Sequence, residues 1–184
     1  LTFGTLEPLV DLMQQTPVEK LQPALLGKIK SGTTIKTLVA AGALANARSF
    51  GGQDYVGFHT MMALMPAWQI AAELPAAERP LPIFKVLYRN TARIQEADGG
   101  ERLRCVKSTP VAGKQSGGER LFRDMCGADM ATAERTFASL AQGQPRRAFN
   151  KLQHLVQDAP DVHRVTLAWR AWDVLQLVGY EHAH

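Results

Sequence analysis

Residues 53–74 read QDYVGFHTMMALMPAWQIAAEL. Val56, Phe58, Met61, Met62, Leu64, Met65, Trp68 and Ile70 recur without the alternation of a half-buried strand, and they cover most of a helix circumference. A helix apolar on all sides packs at the centre of a protein, so this segment is expected to be a buried, central helix. Pro66 is expected to kink or divide it. A second stretch of the same kind closes the chain. There Asp161 is placed to cap a helix from Val162 to Val178 that carries Val165, Leu167, Trp169, Trp172, Val174, Leu175 and Val178.

Working outward from these two, helix signals dominate the rest. Thr16-Pro17-Val18-Glu19 reads as a capping box, with Pro17 at the first helical position and Leu21, Leu25, Leu26 and Ile29 as the apolar face. Another helix runs from about Thr34 through Leu38, Leu44 and Ala47. Its small residues at 40–45 permit close backbone approach, and Gly51-Gly52 ends it. Pro80 and Pro82 precede a helix through Phe84, Val86, Leu87 and Ile94, which Gly99-Gly100 stops. Residues 99–118 lack periodicity and read as a long surface loop. Beyond it come a short helix with Leu121, Phe122 and Met125, one capped by Asp129, and one opened by Pro145 that carries Phe149, Leu152 and Leu155. No strand pattern is present. The expectation is an all-α, single-domain bundle spanning 1–184, with seven to nine helices and two central apolar ones.

Composition agrees. The 184 residues are 46% hydrophobic and 21% charged, enough apolar content for a folded core and too much for a disordered chain. No apolar run reaches the roughly 18 residues of a membrane span, so a soluble protein is expected. The net charge of +4 is spread over several segments with acids among them, which disfavours a nucleic-acid partner. Cys105 and Cys126 form neither CxxC nor CxxCH, and they leave open both a cytoplasmic and an exported location. The chain opens at Leu1 rather than Met and closes on Glu181-His182-Ala183-His184, which leaves open whether its natural form extends beyond these ends.

The histidines supply the functional lead. Four of five, His59, His163, His182 and His184, fall on or beside the two apolar helices. A buried helix accommodates His only where its nitrogens find partners. For His59 the plain partner is a backbone carbonyl or Tyr55 one turn earlier. The alternative is metal ligation, since neutral imidazole is the commonest metal ligand. Glu181 and His184 add a Glu-x-x-His spacing, which puts both side chains on one helix face as in carboxylate-bridged sites.

Two functions follow. In the first, the chain is a metalloprotein or redox enzyme with iron or zinc held by His59, His163, Glu181 and His184. Tyr55 and Asp161 stand beside the ligands as catalytic groups, and a small molecule is the substrate. A b-type haem on His59 or His163, with a Met (Met61, Met62 or Met65) or a second His opposite, ranks below this. In the second, the histidines are structural and the chain is a non-enzymatic interaction module with a protein partner. Its basic face is either the stripe Lys85, Arg89 and Arg93, which recurs every four residues and can clamp a phosphate or carboxylate, or the loop near 107–114. Nucleophilic and phosphate-loop chemistry is set aside, because neither Gly-x-Ser-x-Gly nor Gly-x-x-x-x-Gly-Lys-Ser/Thr occurs and Cys105 and Cys126 have no local signature.

Overall fold

A computed structural model describes residues 1–97, 102–108, 117–127 and 129–183. The chain is all-α. Among the described residues there are nine α-helices and no strand. They are α1 (Glu7–Gln15), α2 (Val18–Lys30), α3 (Ile35–Phe50), α4 (Tyr55–Glu73), α5 (Pro80–Glu96), α6 (Gly117–Cys126), α7 (Met130–Ala141), α8 (Pro145–Asp158) and α9 (Val162–Val178). The chain divides into two compact units, Leu1–Arg104 and Cys105–His184. The boundary falls inside the stretch expected to be one long loop. Most of that stretch, with the Gly99-Gly100 stop and Lys114, lies outside the described residues. No described helix is long and apolar enough to cross a membrane.

Most helix starts are where local chemistry puts them. The Thr34 hydroxyl accepts from the Thr37 N–H, a carboxylate oxygen of Asp129 accepts from the Thr132 N–H, and Asp161 accepts from the N–H groups of His163 and Arg164. Pro145 opens α8. The Thr16 cap is a correction. Pro17 occupies the cap position of α2 without a side-chain bond, and the corner is held from a distance by Gln95 of α5. Its Nε2 donates to the Thr16 carbonyl at 2.6 Å, and its Oε1 accepts from the Val18 N–H at 3.3 Å. Pro66 neither ends nor divides α4, which continues to Glu73.

The centre of the first unit is α3 rather than α4. Twelve of its sixteen residues are buried, against six in α4. The reason lies in its small side chains: a Cβ on Gly42 would stand 2.3 Å from Leu87 Cδ2 of α5, so the missing methyl is what lets the two helices meet. Buried amides then tie three helices together. Asn46 of α3 donates to the Gly57 carbonyl of α4 and to Asn90 Oδ1 of α5, both at 2.7 Å. Thr60 Oγ1 lies 2.9 Å from the same Asn90 oxygen. Asn90 Nδ2 returns to the Gly42 carbonyl at 3.2 Å. A paired polar network of this kind fixes the register of the helices.

The second unit buries less. Its α9, expected to be central, buries only Val174 and Val178, and Trp169 is 54% exposed. Apolar residues all round this helix therefore mark a partly solvent-facing element rather than a core. Arg170 and Asp173 of α9 pair at 3.0 Å and are half-buried.

Candidate functional site

The first group of candidate residues gathers where α4 begins. Gly51 ends α3 in the left-handed conformation (φ +52°), and Asp54 then caps α4 by accepting from the Gly57 N–H at 2.6 Å. The chain turns tightly here because α4 packs close on the end of α3: a Cβ on Gly57 would meet the Phe50 ring at 2.5 Å. Asp54 is also gripped by Arg93 of α5, Nε to Oδ1 at 3.0 Å and Nη2 to Oδ2 at 2.7 Å. Hydrogen bonding by Arg93 is the main reason that the Asp54 carboxyl titrates at about 2. Arg93 also donates to Glu96 at 3.2 Å, and Glu96 accepts from Arg89 at 3.0 Å. Both guanidiniums, Arg93 first, hold the Glu96 pKa below its ordinary value.

This geometry changes the reading of the basic stripe. Arg93 is committed to Asp54 and helps to seat α4, whereas Lys85 and Arg89 remain exposed on α5. Asn90 beside them is fully buried in the amide network.

Tyr55 and His59 are together one turn apart. Tyr55 is 65% exposed, and the His59 ring stacks on Phe58 (centroids 4.8 Å) and tilts against Tyr55 (4.5 Å). His59 Nδ1 lies 2.6 Å from the Tyr55 carbonyl, so it is the protonated nitrogen and the imidazole has the partner expected of a structural histidine. His59 is also only half-buried, so the desolvation that made it demand an explanation is partial.

The remaining candidates belong to the second unit. His163 Nδ1 lies 3.8 Å from Asp161, whose pKa is lowered chiefly by the N–H groups it caps. Glu181 folds back over the turn at Gly179, where an added Cβ would meet its Oε2. His184 lies outside the described residues. Among the described residues, no three His, Cys, Asp or Glu side chains group closely enough to hold a metal ion. Cys105 and Cys126 are exposed thiols.

Two features had no sequence signal strong enough to single them out. Arg48 is 3% exposed inside α3 and is met by Glu7, by Asp11 at 2.8 Å and by Gln14 Oε1 at 2.8 Å. Gln14 in turn donates to Ser49 at 2.6 Å. The only hint was a pair of acids four apart in a segment with no other functional mark. The second feature is a cleft by Arg146 and Arg147, where two adjacent arginines follow a helix-opening Pro145 with no acid in that first turn. Comparison with protein-family models, with curated proteins and with solved structures gives no match, so chemistry and geometry alone supply the functional argument.

Proposed function

We propose that the chain is a non-enzymatic helical interaction module that binds an acidic protein segment along the outer face of α5. The observation that carries this reading is the composition of that face. Leu81 is 62% exposed and Tyr88 40%, with exposed Lys85 and Arg89 between and beside them. At 100° per residue these four side chains fall within an arc of about 100°. Exposed apolar and aromatic anchors flanked by cations suit an amphipathic acidic partner: the apolar anchors supply affinity, and the charges supply orientation and rate. The Arg89–Glu96 pair that lies there is half-exposed on both sides, and such pairs exchange readily for a better carboxylate. The structural bonds of His59 and Asp161 support the same reading, because they account for both residues without a reaction.

The test is binding of a synthetic amphipathic helix, leucine on one face and glutamate on the other, measured by fluorescence anisotropy at two salt concentrations. Lys85→Glu with Arg89→Glu is expected to weaken binding by about tenfold or more and to flatten the salt dependence. Equal binding by this variant would sink the proposal. Freshly purified protein is assayed for iron, zinc and haem alongside. A stoichiometric metal lost on replacing His59 and His163 would instead establish the metalloprotein reading.

A further inference from the structure

A cleft of about 740 Å³ opens in the second unit between the start of α8 and the later turns of α9. That volume lies in the range of small-molecule sites. Its lining includes Arg146, Arg147, Asn150, Trp172, Gln176 and Tyr180, and among the described residues it carries no carboxylate. Both arginines are exposed on the first turn of α8. Arg147 reaches Gln144 Oε1 at 3.4 Å, and neither guanidinium pairs with an acid among the described residues. Two cations that no described acid pairs with therefore face a cleft that also has an aromatic side. Trp172 stacks on Phe149 with centroids 4.9 Å apart and planes 24° apart, which braces the indole. Tyr180 stands 5.6 Å from Trp172 on the segment after α9.

We propose that this cleft binds a free mononucleotide, with its base against Trp172 and Tyr180 and its phosphate at Arg146 and Arg147. Guanidinium offers a planar, bidentate fork to phosphate oxygens, and two adjacent forks can hold a dianion. Aromatic side chains accept the flat face of any base. Asn150 and Gln176 each present a donor and an acceptor to base edges or sugar hydroxyls. The lack of carboxylates in the lining disfavours a cationic ligand, and the amides and arginines disfavour a purely apolar one. The cleft belongs to the second unit, so this inference does not rest on the α5 face.

The test is calorimetric titration of the full chain with AMP, adenosine, inorganic phosphate and short oligoadenylates. AMP is expected to bind at least about tenfold more tightly than either adenosine or phosphate, because only AMP engages both halves of the cleft. Arg146→Ala with Arg147→Ala is expected to weaken AMP by about tenfold or more while leaving adenosine unchanged. Gln176→Glu, which places a carboxylate in the cleft, should weaken AMP as well. All three positions are exposed, and circular dichroism checks that the variants keep their helices. The proposal is overturned by no AMP binding, by phosphate or adenosine binding as tightly as AMP, by an arginine variant equal to wild type, or by affinity that grows with oligoadenylate length.

Discussion

Arg93 holds Asp54 by two parallel hydrogen bonds, 3.0 Å from Nε to Oδ1 and 2.7 Å from Nη2 to Oδ2, while the same carboxylate caps α4 through the Gly57 N–H. One side chain thus fixes where α4 begins and ties that point to α5. The bidentate pairing is of the strong, charge-assisted kind, and Asp54 is largely shielded from solvent.

The pair makes stability depend on acid. The folded-state pKa of Asp54 is lowered from 3.8 to about 2, mainly by Arg93. A lowered carboxylate pKa contributes stability that is present above the unfolded value and lost as pH falls through the folded one, a contribution of about 2 kcal/mol here. Asp54→Asn keeps an N-cap and removes the ion pair. Urea unfolding is therefore expected to show wild type more stable than this variant above pH 3.8, with the gap closing as pH falls towards about 2. A gap independent of pH across that window would show that the pair does not set the acid response.

Gly57 provides a second test of the same corner. Gly→Ala gains about 1 kcal/mol from propensity in a helix interior and less in the first turn, where Gly57 stands. Here the added methyl would stand 2.5 Å from Phe50 Cδ2 and 2.8 Å from Cγ, and Phe50 is almost wholly buried with little room to move. Overpacking of this kind costs about 1–3 kcal/mol, so the net change is expected to be destabilising. Combining Gly57→Ala with Phe50→Leu should cost less than the sum of the two single changes, as contacting residues do in a double-mutant cycle. Strict additivity in urea unfolding would refute the contact.

The corner at residues 50–57 also shows which parts of the molecule can be read from the chain alone. Caps are local, since a carboxylate or hydroxyl reaches an N–H two or three residues on. Thr34, Asp129 and Asp161 are accordingly identifiable without knowledge of any other element. Burial is not local. α3, with its Ala- and Gly-rich run, is less hydrophobic than α4, yet it is the more buried because small residues let neighbours close in, as Leu87 does over Gly42. The start of α2 fails as a local reading for a related reason: its partner, Gln95, lies 79 residues from Thr16. The same limit applies to the site. The Glu181-x-x-His184 spacing and the positions of His59 and His163 say which residue types are available. Convergence on one ion depends on packing, which spacing along a helix does not encode.

Arg48 shows how much a contact without a sequence signature can weigh. Its guanidinium is buried and is met by Glu7, Asp11 and Gln14 of α1. Removing one member of a buried ion pair costs about 3–5 kcal/mol. Because Asp11 is more than half exposed and Glu7 partly so, Arg48→Ala is expected near the lower end, about 3 kcal/mol. The Glu7 pKa is lowered mainly by its hydrogen bond from Arg48, so this share of stability is present above about 4.5 and lost as pH falls below it. The gap between wild type and Arg48→Ala should therefore narrow in acid. A loss under about 1 kcal/mol at neutral pH would mean that α1 is held by its apolar residues, Val10 and Met13, alone.

His59 separates the structural reading of the histidines from the catalytic one. Its Nδ1 lies 2.6 Å from a carbonyl oxygen, which has no proton to give, so the nitrogen must be the donor and the neutral ring is the Nδ1–H tautomer. Free imidazole side chains favour the other tautomer, which makes this a distinctive expectation. A long-range proton–nitrogen correlation spectrum of labelled protein, recorded where the ring is neutral, should show Nδ1 protonated and Nε2 with the shift of a lone-pair nitrogen. His59→Leu removes one half-exposed hydrogen bond and is expected to cost about 0.5–1.5 kcal/mol with α4 intact by circular dichroism. An Nε2–H tautomer in that spectrum would break the bond to Tyr55 and return His59 to the set of residues whose position needs a functional cause.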